Sequence, residues 1–217
     1  MKAGRKRRRR RDSAATRQAL FAAGATAFAA RGFDGAGVDE IAAAAGVNKA
    51  MLYYHFKSKR GLYTAVLADM FSAVADRVAP LATAPGDPAA SLEAFVDALA
   101  DACRERPHFP AIWLRELADE GRHLDASVVP IVRGILDTLA GLLARGRREG
   151  RFREVHPLLV QFGIIGPLLV YLGSAPARRR LLADAPQLAA IDDEMAFAHV
   201  KVATLATVLA DPAGDTQ

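Results

Sequence analysis

Nearly every stretch of this chain sets Ala, Leu, Arg and Glu at the three-and-four spacing of an α-helix. None alternates β-branched with polar residues between turns, so the pattern predicts an all-α fold. Glycine and proline punctuate it at Gly32, Gly46, the Pro80–Pro88 stretch, Pro107, Pro110, Pro130, Gly150, Pro157, Pro176 and Pro186, which leaves about nine helices. They are expected near 13–31, 38–45, 49–55, 59–79, 89–105, 108–120, 127–149, 157–173 and 192–210. The uninterrupted segment 59–79 is long enough to serve as a mechanical link between an N-terminal head and the body that follows.

Charge divides the chain in the same place. Lys2, Arg5, Lys6 and the run Arg7–Arg11 put eight basic residues and no acid into the first eleven positions, and without them the formal net charge falls from +5 to −3. Residues 12–63 carry +2 and residues 64–217 carry −5, so the head favours a polyanion and the body does not. The expected organisation is a disordered basic arm at 1–12, a head at 13–63, a body at 64–211 and a disordered tail at 212–217. With 52% hydrophobic residues the chain has ample material for a buried core. Cys103 is the only cysteine, which excludes an intrachain disulfide and a multi-cysteine zinc site and fits a reducing cytoplasm. The basic start ahead of Ala19–Ala30 imitates a signal peptide, but Arg17 and Gln18 interrupt the approach and Leu20, Phe21 and Phe28 fall at helical spacing. The apolar run Leu158–Leu172 contains Gln161, Gly163, Gly166 and Pro167 and falls short of the ~20 residues a spanning helix needs. It reads as a buried helix, and no membrane attachment is expected.

Residues 38–56 read VDEIAAAAGVNKAMLYYHF: a short helix, a turn at Gly46 and a second short helix. Ile41 and Ala45 give the first an apolar face, Gly46 permits a positive φ, Val47 plugs the angle between helices and Leu52 faces back into the core. Asn48 is placed to cap the second helix. That is helix-turn-helix grammar, although an ordinary helical hairpin shares it.

The surroundings decide between them. From Arg17 to Tyr63 the sequence resembles the tetracycline-repressor (TetR) family of bacterial regulators. Ala19, Leu20, Ala23, Phe28 and Gly32 occupy the family's first-helix pattern, IL-x-A-A followed by F-x-x-x-G. Ile41, Ala42, Ala45, Gly46 and Val47 match I-A-x-x-A-G-V, and Leu52, Tyr53, His55, Phe56 and Lys59 match L-Y-x-H-F-x-x-K. The resemblance implies that Lys49, Ala50 and Met51 open the recognition helix and read base edges, while Tyr53, Tyr54, His55 and Lys59 face phosphates. Lysine donates to guanine, Ala50 allows close approach, Met51 suits a thymine methyl and tyrosine hydroxyls donate to phosphate oxygens. Gly37, beside Val38, stands where the family often has Thr or Ser, so a capping hydroxyl is missing from the DNA-facing set Gly37, Val38 and Asn48. The arginine run of the arm is not explained by the family motif. It suits either the minor groove or a solvated tail.

Beyond Tyr63 only the layout speaks. The resemblance implies a homodimer that pairs 157–173 and 192–210 across a two-fold axis, and a regulator, most simply a repressor, that responds to a small and largely apolar effector. Trp113 lies one helical turn from Glu116, and with Phe109 and Ile112 it could line an effector pocket walled by Phe71, Val74, Phe95, Leu99 and Cys103; an ordinary core fits the same spacing. No cofactor or metal is called for. An enzyme built on His108, His123 or His156 with Glu116 or Asp119 is disfavoured, because no nucleophile elbow, phosphate loop or HExxH motif appears. The alternative that survives is a sequence-indifferent DNA-binding protein driven by the basic arm.

Overall fold

The computed structural model describes residues 2–210, with side chains from Asp12 onward. The disorder expected of the tail from Asp211 falls outside those residues, whereas the arm expected to be disordered is helical from Lys2 onward, as the first turns of the helix that continues to Gly35.

Among the described residues there are eleven α-helices, one 3-10 turn at Ala79–Ala82 and an isolated antiparallel bridge between Phe152 and Leu209. The helices are α1 (Lys2–Gly35), α2 (Val38–Ala44), α3 (Lys49–Phe56), α4 (Lys59–Val78), α5 (Pro88–Glu105), α6 (Phe109–Ala118), α7 (Val129–Arg148), α8 (Pro157–Gly173), α9 (Ala175–Leu181), α10 (Pro186–Ala189) and α11 (Asp193–Val208). Gly32 breaks α1 with φ 71°, so its last residues form a separate short segment. Helices α9 and α10 are additions to the nine expected. Pro176 and Pro186 read as breaks, yet each sits in the first turn of a helix, where no intrahelical partner is lost and the proline φ is already helical.

The described chain forms two compact units. The first comprises the residues through Asp69 together with Ala111–Val128, and the second comprises Met70–Pro110 together with the residues from Val129 onward. The boundaries fall inside α4 and α6, so α4 contributes turns to both units and α6 gives its first two residues to the second. This partition differs from a simple cut after Tyr63. A segment more than forty residues further along the chain returns to the first unit.

In the first unit, Leu20 and Phe28 of α1, Ile41 of α2, Leu52 and Phe56 of α3 and Leu62 of α4 are buried together. In the second, α8 packs on α11, α7 and α5, and Phe95, Leu99, Leu139, Leu142, Ile164, Leu168 and Val200 make up its interior. Arg145 of α7 fastens the connection ahead of α5 by donating to the Ala84 carbonyl and to Ser91 Oγ. Only one face of α8 is buried: Val160, Ile164 and Leu168 point inward, whereas Leu159, Phe162 and Val170 are exposed. No single described helix is long and apolar enough to cross a membrane; α8 and α9 reach that length only as a pair bent by 60°.

The joint between α3 and α4 is the tightest place in the first unit. Lys57 ends α3 with φ 67° and its amide donates to the Tyr53 carbonyl. Ser58 then caps α4, its Oγ accepting from the Gly61 amide at 3.0 Å. A β-carbon on Gly61 would collide with the Phe56 carbonyl oxygen, which is backbone and has no rotamer to escape into. Gly61→Ala should therefore destabilise the protein by about 1–3 kcal/mol. The expected reading is a lower urea midpoint; an unchanged midpoint would show that the joint yields without strain.

Candidate nucleic-acid interface

Helix α3 has eight residues and, at 1.5 Å per residue, is about 12 Å long. Its burial pattern follows helical spacing. Leu52 and Phe56, four residues apart, are buried, which turns Lys49 with Tyr53, and Ala50 with Tyr54, toward solvent. Tyr53 is 48% and Tyr54 66% exposed, a large aromatic surface for a globular protein to leave uncovered. Met51 and His55 are half-buried on the flanks.

Asn48 caps α3 as its position predicts, with Oδ1 accepting from the Ala50 amide at 2.8 Å. Gly46 takes the turn with φ 66° and open space around it. Gly37 begins α2 with no side-chain cap. An added β-carbon there would meet the Glu40 carboxylate at 3.1 Å, so the missing hydroxyl coincides with a crowded position. Val38 follows, half-buried.

The cations are not idle. Lys49 Nζ lies 3.1 Å from Asp39 Oδ1, and both side chains are well exposed. Lys59 Nζ donates to the Ala36 carbonyl at 3.1 Å and more weakly to that of Asp34 at 3.4 Å, while lying 4.5 Å above the Phe33 ring. Its ammonium has three donors, so one remains for a phosphate. Lys57 and Arg60, not singled out by sequence, are exposed at the same joint. Lys57 Nζ reaches the Tyr54 carbonyl and the Arg60 guanidinium lies over Phe33. The signal that marks them is only their position beside the matched Lys59. His55 has a buried Nε2 without a partner.

The residues expected to line an effector pocket divide between the units. Phe71, Val74, Phe95, Leu99, Cys103 and Phe109 belong to the second and are all buried, with the Phe71 and Phe109 rings edge to face at 5.5 Å. Burial pushes the Cys103 thiol up to about 12, so it offers an apolar surface rather than a nucleophile. Ile112, Trp113 and Glu116 belong to the first unit. Ile112 is buried, Trp113 half-buried, and Glu116 has both carboxylate oxygens occupied. Oε2 accepts from the Tyr63 hydroxyl at 2.7 Å and Oε1 from the His123 amide at 2.8 Å. Burial and this carboxylate hold the Tyr63 phenol far above the usual tyrosine range. Among the described residues no group of three or more His, Cys, Asp or Glu is placed to hold a metal ion.

Comparison with known proteins divides the chain in sequence order, with 111–128 falling in the C-terminal match. Residues 20–66 match the model of bacterial regulatory proteins of the tetR family, and residues 88–188 match that of the tetracyclin repressor-like C-terminal domain. The HTH-type transcriptional regulator RutR of Escherichia coli is 26% identical over 171 residues, 78% of this chain and 79% of RutR. The HTH-type transcriptional repressor NicS of Pseudomonas putida is 27% identical over 148 residues, 64% of this chain and 66% of NicS. The solved structure of the fatty acid degradation regulator FadR from Bacillus halodurans superposes with a TM-score of 0.67 at 19% identity, covering 88% of this chain and 94% of that one. Both the helix-turn-helix and the helical region after it therefore match parts of one family, and the chain belongs to the TetR family of bacterial transcription regulators.

Proposed function

We propose that this protein is a ligand-responsive repressor that works in the cytoplasm, binds a pseudo-palindromic operator as a homodimer and leaves it when a small, largely apolar effector binds. The observation that carries the reading is the solvent face of α3, where Lys49 and Ala50 stand ahead of Tyr53 and Tyr54 on a capped helix whose other face is buried. Lys49, Ala50 and Met51 meet base edges; Tyr53, Tyr54 and the spare donor of Lys59 meet phosphates. The likeness to NicS, a repressor by name, supports repression. Sequencing the duplex fragments retained by the purified protein tests the reading. Fragments sharing a palindrome support it, and indifference to sequence, abolished by removing the arginine arm, would assign binding to the arm instead.

Two heads are needed because one eight-residue helix spans too few base pairs for selectivity, and half-sites should lie about 34–36 Å apart or slightly more. The exposed apolar side chains Leu159, Phe162 and Val170 of α8, with Met195 and Val202 of α11, supply a self-complementary face. Phe162→Lys combined with Val202→Lys should convert the dimer into monomer at micromolar concentration, read by light scattering. A dimer that survives both changes would place the interface elsewhere.

Contacts to phosphate and to bases separate by their effect on preference. Lys59→Ala and Tyr53→Phe should weaken all duplexes about equally, and the lysine change should reduce the salt slope by about one unit. Changing Lys49 should instead alter which operator bases are preferred. A shifted base preference in Lys59→Ala, with salt dependence intact, would reverse these roles.

The effector is placed in the second unit among Phe71, Val74, Phe95, Leu99, Cys103 and Phe109, whose side chains offer apolar contact only. These residues are packed in the free protein, so a ligand must part α4 from its neighbours. Because α4 begins at Lys59, displacing its later turns disturbs the head. A preference of ~1–3 kcal/mol for the displaced state would weaken operator binding some 5–150-fold. Reciprocity requires that such a ligand bind less tightly when operator is present. A ligand of the second unit that binds equally well with and without operator would leave that unit as a dimerisation scaffold.

A further inference from the structure

We propose that the segment 111–128, distant in sequence from the helix-turn-helix, is a positioning element of the DNA-reading unit, and that Glu116 is the pin by which it holds the turn ahead of α2. This rests on the DNA-reading role proposed above and adds to it residues that no family pattern within 17–63 contains.

Glu116 is 1% exposed and His123 4%. A carboxylate so placed is tolerable only when its oxygens are satisfied, and here one accepts from the Tyr63 hydroxyl and the other from the His123 amide. Tyr63 lies one turn beyond Lys59 on α4, and its ring meets Phe33 at 5.2 Å and Phe28 at 4.8 Å. His123 holds Phe33 from another side, ring on ring at 4.5 Å, with Nδ1 3.2 Å from Glu116 and Nε2 3.9 Å from Asp34. Phe33 is the ring beneath the Lys59 ammonium, which in turn bonds to the carbonyls of Asp34 and Ala36. Two residues after Ala36, α2 begins.

A second tie comes from the neighbouring side chain. Arg115 donates from Nε to the Ala29 carbonyl at 3.2 Å and from a terminal nitrogen to that of Ala30 at 2.9 Å. Those carbonyls close the main part of α1, directly before Gly32 breaks it. Residues 115–123 therefore grip both sides of the 32–37 turn. The bonds are directional, and those of Glu116 are buried, so they fix one pose of the turn where apolar packing alone would accept several. The helix-turn-helix leaves from that pose, and so does the aim of Lys49.

A positioning role separates from a merely structural one by its effect on discrimination. Partial unfolding lowers affinity for every duplex in proportion to the folded protein lost; misaimed recognition helices lose the operator and keep nonspecific phosphate binding. The probes are the palindromic fragment recovered by selection and a scrambled duplex of the same length, with urea unfolding measured in parallel. Tyr63→Phe removes one hydroxyl, Glu116→Gln keeps an acceptor for one donor, and Glu116→Leu fills the space without acceptors. Each should lower the operator-to-scrambled affinity ratio, by roughly 3- to 30-fold for Glu116→Leu, with Glu116→Gln milder. The Tyr63→Phe and Glu116→Gln effects on that ratio should be less than additive. An unchanged ratio in the folded variants, or two affinities that fall together with the folded fraction, overturns the positioning role. Should Glu116→Leu fail to fold, Tyr63→Phe with Glu116→Gln decides alone. If the unmodified protein selects no palindrome, the DNA-reading role itself fails, which is a different outcome from a ratio that mutation leaves untouched.

Discussion

Burial of Leu52 and Phe56 against the rest of the first unit is the contact on which the DNA-facing side of this molecule depends. A helix of eight residues has too few internal hydrogen bonds to offset its own nucleation, so α3 exists only because these two side chains and its ends are held. Asn48 satisfies an amide at one end, and the positive φ of Lys57 with the Ser58 cap turns the chain at the other. The exposed residues contribute little to that stability. They are free to be chosen for what they touch.

How far sequence reaches into such a structure depends on the distance over which its causes act. Helix type and most boundaries come from periodicity and local punctuation, and both were legible: α8 runs over Pro157–Gly173 as the glycines and proline around it indicate, and the Gly46 turn and the Asn48 cap lie where their residue types demand. The prolines of α9 and α10 were misleading for a local reason, since a proline that ends one helix and one that begins the next look alike in a string. The matched positions Leu52, Tyr53, Phe56 and Lys59 carried the resemblance to TetR regulators because a helix-turn-helix is a short-range object.

What was not legible acts across the chain. Nothing about Glu116 in its own helix says that a tyrosine fifty-three residues earlier will donate to it. One turn from a tryptophan, and among apolar neighbours, it reads as a polar handle for a ligand. Nothing local marks Arg115 either, although it bonds to two carbonyls of α1. Exposure on α8 was hidden for a related reason, because periodicity identifies an apolar helix without saying which of its faces the same chain covers.

The ion pair between Lys49 and Asp39 gives the lysine proposed to read bases a rival within its own chain. In free protein the ammonium already has an anion 3.1 Å away, one helix back, so a duplex competes with that carboxylate for its donors. A guanine edge that offers two acceptors in the right place replaces what is lost, whereas a base that offers none leaves the carboxylate facing a polyanion. The pair is exposed and weak, so it scarcely stabilises the fold. If Lys49 reads bases as proposed, the pair acts as a threshold: unsuitable sequences meet repulsion as well as the absence of attraction, which would shorten the time the protein spends on them while it searches.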